Sequence, residues 1–128
     1  MTNFDSFDDR TCLGVHLLLS LNDCPSHLLE RIEDSDRIGK RVCSEVGLSI
    51  VSTSSHQFTP IGATVLYLLT ESHLSIHTWP ETKMVAIDVF CCIENRTIAQ
   101  AEHIVRNAER IFIKEFGAKS YTSKLVHR

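Results

Sequence analysis

Ser72, His73, His77 and Glu81 lie within the string Glu71-Ser72-His73-Leu74-Ser75-Ile76-His77-Thr78-Trp79-Pro80-Glu81. A hydroxyl beside imidazoles and carboxylates can serve metal binding or nucleophilic attack. Two histidines four apart chelate zinc on a helix, where that spacing puts them on one face. Here Leu74, Ile76 and Thr78 alternate with other residues at the period of a strand, and at ~3.3 Å per residue the two imidazoles stand about 13 Å apart. One ion cannot bridge that gap, so no metal site is expected at His73 and His77. Ser72 with His77 lacks the Gly-x-Ser-x-Gly elbow of a serine hydrolase. Taken one at a time, these side chains are polar positions on a half-buried strand; the whole string asks for a joint explanation.

The five cysteines, Cys12, Cys24, Cys43, Cys91 and Cys92, are odd in number and lack a Cys-x-x-Cys spacing, which indicates neither a disulfide framework nor a zinc site. Cys91 and Cys92 are neighbours on an expected strand and therefore face opposite sides of it. Cys92 shares its face with Asp88 and Phe90, and Cys91 shares the other with Ile87 and Val89, so only one of the pair can serve a site. The remaining cysteines are expected to be buried thiols.

These residues need elements to hold them. Residues 14–22 form a short apolar run that reads as a strand, and residues 22–26 supply helix start signals. The helix that follows carries Leu28, Leu29, Ile32, Ile38, Val42 and Val46 and stops at Gly47. Residues 48–58 read as a strand, residues 59–62 as a turn, and the largely apolar residues 63–69 as a strand covered on both faces. Two more strands are expected at 74–79 and 84–92, the second apolar throughout its middle except for Asp88. Thr97 and Gln100 form a capping-box pattern ahead of a helix whose apolar stripe runs from Ile98 to Phe116, with Gly117 as its stop. Residues 120–126 add a last strand. Strands in succession between two helices predict an α+β fold, a largely antiparallel sheet with both helices on one face. The other face would be bare, and the same face of a second subunit would cover it with two-fold symmetry.

With 128 residues, 43% hydrophobic and 23% charged, the chain has the make-up of one globular domain over residues 1–128. A formal charge of −3, with Lys and Arg scattered, argues against a nucleic-acid partner. The acidic first ten residues do not resemble a secretory signal, and no apolar run approaches the roughly 18 residues of a membrane helix. A cytoplasmic protein without a membrane partner is expected.

The eleven-residue string resembles the S-adenosylmethionine decarboxylase proenzyme family in its short prokaryotic form. The resemblance extends to Gly14-Val15-His16 with Asn22-Asp23-Cys24, to Phe58-Thr59-Pro60-Ile61-Gly62, and to Ala86-Ile87-Asp88-Val89-Phe90-Cys91-Cys92. The first ten residues and the C-terminal tail carry no such signature. The family's fold is a two-layer α+β sandwich that dimerises through its sheets.

The resemblance implies a self-processing enzyme. The Ser72 hydroxyl would attack the Glu71 carbonyl, elimination would leave a β chain 1–71 and an α chain 72–128 that begins with dehydroalanine, and hydrolysis with loss of ammonia would turn that residue into a pyruvoyl group made from Ser72. That ketone would take the substrate amine as a Schiff base and act as the electron sink for decarboxylation. The family pattern gives His77 the proton transfers of processing, Thr64 a supporting hydroxyl, and Cys92 the reprotonation of the product. Phe58 and His77 match its adenine-stacking positions, and Glu81 matches its ribose contact. Each site would combine Glu71, Ser72 and Cys92 of one subunit with Phe58, Thr64, His77 and Glu81 of its partner in a homodimer, or a dimer of processed αβ units. Trp79 receives no chemical role. The chain departs from the pattern at Thr82-Lys83-Met84, where relatives often carry an aromatic residue and Gly.

Two other functions share these features. A pyruvoyl-dependent arginine or ornithine decarboxylase would use the same machinery without an adenine sandwich. A non-catalytic regulatory paralogue would dimerise with a partner and stay one chain.

Overall fold

The computed structural model describes residues 12–128, so the expectations for the acidic first ten residues lie outside the described residues. In chain order the elements are β1 (Gly14–Asn22), α1 (Ile32–Val46), β2 (Ile50–Gln57), β3 (Ala63–Leu69), β4 (Ser72–Trp79), β5 (Met84–Cys92), α2 (Ile98–Glu115) and β6 (Ser120–His127). The strands form one antiparallel sheet in the order β2-β3-β4-β5-β1-β6. This is the α+β architecture expected from the alternation of patterns.

Period-two alternation decides which side chains meet the helices. Leu17, Leu19 and Leu21 of β1, Val65, Tyr67 and Leu69 of β3, Leu74 and Ile76 of β4, and Val85, Ile87, Val89 and Cys91 of β5 are all buried. They pack with Ile38 and Val42 of α1 and with Ala101, Val105, Ala108 and Phe112 of α2 in one cluster. Each large aliphatic side chain removed from water there stabilises the fold by ~1.5–3 kcal/mol before entropy is counted. Gly39 lets α1 approach β3, because a Cβ at that position would stand 2.4 Å from the Tyr67 hydroxyl oxygen. That hydroxyl donates to Asp36 Oδ1 at 2.8 Å, so the close approach also satisfies a buried polar group.

The second helix begins as the sequence predicts: Thr97 accepts from the Gln100 N–H, and the Gln100 side chain accepts from the Thr97 N–H. The first helix does not. The start signals at 22–26 produce only a 3₁₀ turn at Ser26–Leu28, and α1 opens at Ile32. Arg31 is extended (φ −119°, ψ 146°) and its side chain caps nothing. Gln57 Oε1, from β2, accepts the Ile32 N–H at 2.7 Å instead. A cap supplied 25 residues downstream leaves no local trace in the sequence.

The expectation that β3 is covered on both faces also fails within the protomer. Leu66 and Leu68 point away from the helices and are 45% and 54% exposed. Leu18 and Met84 are likewise exposed on that side of the sheet. Antiparallel sheets commonly pack one face and leave the other uncovered.

Candidate active site

Residues 70–71 form a two-residue connection between β3 and β4, with Leu69 opposite Ser72 in register. Tight hairpins of this length favour Gly or Asn, which tolerate positive φ, yet this turn is Thr-Glu. The positive angle falls on Ser72, at φ 141°. Among the described residues, the other non-glycine positions with positive φ, Asp23, Lys83 and Asn95, lie at 54–64°, the ordinary left-handed basin. A serine held outside that basin costs on the order of 1–3 kcal/mol, and such strain collects at reactive sites.

The carbonyl before Ser72 is also held. The Cys92 N–H donates to the Glu71 carbonyl oxygen at 2.9 Å. Cross-strand register sets Ser72 opposite Cys91, and Cys92 reaches this corner through its backbone. As the alternation predicts, Cys91 is buried and Cys92 is half-buried on the opposite side. Burial pushes the Cys91 thiol up although Arg96 donates to its sulfur at 2.8 Å, which suits an inert core thiol. Cys12, Cys24 and Cys43 are buried as expected.

The Glu71 side chain anchors the turn. Its Oε1 accepts from the Ser49 N–H at 3.1 Å and from the Thr70 hydroxyl at 2.7 Å, and Oε2 lies 3.8 Å from Arg96. Burial works against the charge, but these hydrogen bonds and the Arg96 cation outweigh it and hold the carboxyl below its usual range.

At the other end of β4 lies a cleft of about 550 Å³. Phe58, Thr64, His77 and Glu81 all line it. Phe58 is 46% exposed, which excludes a role as a core aromatic. Its ring is edge-on to His56, with centroids 4.7 Å apart. Thr64 stands opposite His77 in register, and its hydroxyl lies 3.2 Å from His77 Nδ1. Beneath the cleft, the buried Thr78 hydroxyl donates to the Leu29 carbonyl at 2.8 Å and accepts from the Ala63 N–H at 2.9 Å. Trp79, assigned no role from the sequence, lines the same cleft with its ring centroid 6.3 Å from that of His77.

The seven candidate residues therefore form two groups: Phe58, Thr64, His77 and Glu81 share the cleft, whereas Glu71, Ser72 and Cys92 share the hairpin corner. Ser72 and His77 are five residues apart on one strand, about 16 Å at ~3.3 Å per residue. One protomer does not bring them together.

Between the two groups sits a cluster that sequence reasoning missed. Asp88 Oδ2 lies 2.8 Å from His16 Nε2 and 2.8 Å from His73 Nε2, and Oδ1 accepts from the Ser75 hydroxyl. Burial disfavours the Asp88 charge, but the hydrogen bonds from His16, Ser75 and His73 hold it well below the usual carboxylate range. The available signal was a lone acid in an otherwise apolar strand. The ligand-capable atoms of His16, His73 and Asp88 lie within 4.8 Å of one another. His73 thus pairs with residues on β1 and β5, not with His77.

A sequence profile described as S-adenosylmethionine decarboxylase matches residues 15–128, through the C-terminal tail in which no signature is read. The S-adenosylmethionine decarboxylase proenzyme of Thermotoga petrophila is 35% identical over 106 residues, 80% of this chain and 82% of that protein. The proenzyme of the same name from Thermosipho africanus is 38% identical over 80 residues, 62% of each chain. The chain spans 58–62% of the length of the first four curated relatives it matches. A crystal structure of the adenosylmethionine decarboxylase from Aquifex aeolicus is similar with a TM-score of 0.80 and 30% identity, covering 91% of both chains.

Proposed function

The chain belongs to the S-adenosylmethionine decarboxylase family, and on that premise we propose that it decarboxylates S-adenosylmethionine with a pyruvoyl group made from its own Ser72. The product would be an aminopropyl donor for spermidine and related polyamines. The observation that carries this reading is the Glu71-Ser72 linkage, strained at φ 141° and with its carbonyl already bound by the Cys92 N–H.

The residues at the hairpin corner fit the group they would generate. A new bond from Ser72 Oγ to the Glu71 carbonyl carbon turns the peptide bond into an ester, and the developing oxyanion lies where the Cys92 N–H points. Release of the Glu71 carboxylate with loss of the Ser72 α-proton then ends a β chain at residue 71 and leaves dehydroalanine at residue 72, the start of the α chain of a single-domain precursor; tautomerisation to an imine and hydrolysis by water give the pyruvoyl ketone and release ammonia. The pyruvoyl ketone supplies the electron sink that carbon dioxide loss requires and ordinary side chains lack.

In the cleft, Phe58 and His77 offer π faces to an adenine and its adjacent sulfonium. Glu81 accepts from ribose hydroxyls, and Thr64 orients His77 through Nδ1. Cys92 returns a proton to the substrate carbon, and His77 serves processing at the elimination, where the Ser72 α-proton is lost. Because Ser72 and His77 stand about 16 Å apart on one strand, a complete site calls for Glu71, Ser72 and Cys92 from one protomer and Phe58, Thr64, His77 and Glu81 from its partner. Exposed Leu18, Leu66, Leu68 and Met84 on the uncovered sheet face support a homodimer.

The test is a denaturing gel of the purified protein with carbon dioxide release measured from S-adenosylmethionine, arginine and ornithine. Two fragments with release from S-adenosylmethionine alone are expected. Release from arginine or ornithine instead would reassign the substrate, and one band near 14.5 kDa without turnover would favour a regulatory paralogue.

A further inference from the structure

We propose that His73, held by Asp88 and His16, is the general base that activates Ser72 for its attack on the Glu71 carbonyl. This rests on Ser72 being the self-cleaving residue and gives work to a cluster that the decarboxylase reading leaves unused.

Asp88 keeps its charge, and an ionised carboxylate only accepts hydrogen bonds. His73 must therefore present its proton on Nε2, the atom 2.8 Å from Asp88 Oδ2. That tautomer leaves the Nδ1 lone pair free, and Nδ1 lies 3.5 Å from Ser72 Oγ. Carboxylate, imidazole and hydroxyl thus follow one another in the order that serves nucleophilic activation elsewhere, with no Gly-x-Ser-x-Gly elbow. The contact is long, as base-to-nucleophile contacts often are before reaction. His16 donates to the same Asp88 oxygen, and its ring stands edge-on to His73 at a centroid distance of 5.7 Å. Phe90 packs 5.4 Å from His16 and 6.0 Å from His73, which fixes both rings. His77, about 16 Å along the strand from Ser72 within one protomer and engaged by Thr64, is left for the elimination that follows ester formation.

The step balances within the chain. The Ser72 hydroxyl proton moves to His73 Nδ1, the Oγ pair bonds to the Glu71 carbonyl carbon, and the carbonyl π pair becomes the oxyanion facing the Cys92 N–H. When that oxyanion collapses, the bond from the Glu71 carbon to the Ser72 nitrogen breaks. The nitrogen recovers the proton from His73, leaving an ester and a free amine.

Cleavage is followed from fresh synthesis on denaturing gels, with and without hydroxylamine, which cuts esters but not amides. The wild type is expected to cleave, and His73→Ala to cleave at least roughly 100-fold more slowly. His73→Ala should also build up no hydroxylamine-sensitive species and regain cleavage with added imidazole, a rescue that repair of packing alone would not give. Asp88→Asn, whose remaining oxygen can serve Ser75 while its amide N–H turns toward His73 and favours the opposite tautomer, should slow cleavage about tenfold or more.

A wild type that never cleaves overturns the self-cleavage reading and this one with it. A cleaving wild type with unimpaired His73→Ala, or His73→Ala trapped as the ester, overturns the role of His73 alone. Arrest of the wild type by EDTA with recovery in a divalent cation would assign His16, His73 and Asp88 to a metal ion and overturn it too.

Discussion

The Cys92 N–H donates a 2.9 Å hydrogen bond to the carbonyl oxygen of Glu71. The contact belongs to the backbone of Cys92, so it separates two roles at one position. Cys92→Ala keeps the N–H and should still yield two fragments on a denaturing gel. Carbon dioxide release, which would need the thiol as a proton donor, should drop by roughly 10²- to 10⁴-fold. A variant that stays one chain would show that the thiol itself is required for cleavage.

Cleavage between Glu71 and Ser72 would not release either piece. In the sheet order, β4 and β5 lie between β3 and β1, and β1 lies between β5 and β6, so strands from the two sides of the scission point interleave. Native mass spectrometry of the cleaved protein should therefore show both fragments travelling together. Separate fragments in native buffer would contradict this.

Phe58 and Glu81 line the cleft at exposed positions, so their loss should affect binding and spare the fold. Phe58→Ala is expected to raise KM for S-adenosylmethionine about 5- to 30-fold, the equivalent of ~1–2 kcal/mol. Glu81→Gln should raise it roughly 10- to 100-fold, because hydrogen bonds to a charged acceptor contribute about 1.5–3 kcal/mol. Thermal unfolding should shift little in either variant. A large loss of stability with unchanged KM would place both residues outside the substrate site.

Shared sites predict complementation. Cys92→Ala and Glu81→Gln damage different halves, so each mixed dimer holds one intact site built from the undamaged half of each chain. With random pairing, co-expression should restore about a quarter of wild-type turnover, since half of the dimers are mixed. No gain over the separate variants would rule out sites divided between protomers.

Asp88 ties stability to pH. Its folded-state pKa is depressed below the unfolded value of about 4. The unfolded chain therefore binds this proton more readily, and the stabilisation is complete above pH ~4 and lost as pH falls towards the folded value. Asp88→Asn should lower Tm at pH 7 by roughly 3–6 °C and flatten the decline of Tm below pH ~4. His16, His73 and Ser75 face position 88 in both proteins, with Arg128 beside His16, so the difference between the curves reports the carboxylate. Parallel curves would remove Asp88 from the acid response.

The strands, the second helix and its cap were legible because each rests on short-range rules: alternation at period two, an apolar stripe at period 3.6, and a Thr97-Gln100 box spanning one turn. The string from Glu71 to Glu81 and the opposed faces of Cys91 and Cys92 were legible for the same reason. Tertiary structure decided what depends on register and distant partners. Gln57 begins α1 from across the chain, and the turn without glycine puts its strain on Ser72. Pairing of β1 with β5 brings His16 to Asp88 across 72 residues, and pairing of β4 with β5 adds His73. Sequence by itself determined which groups were available for chemistry, since side-chain type and local period are written along the chain. The meeting of Thr64 with His77 at one end of β4 and of Cys92 with Glu71 at the other, and the carboxylate that orients the imidazole beside Ser72, follow from strand order and register, which only the folded sheet fixes.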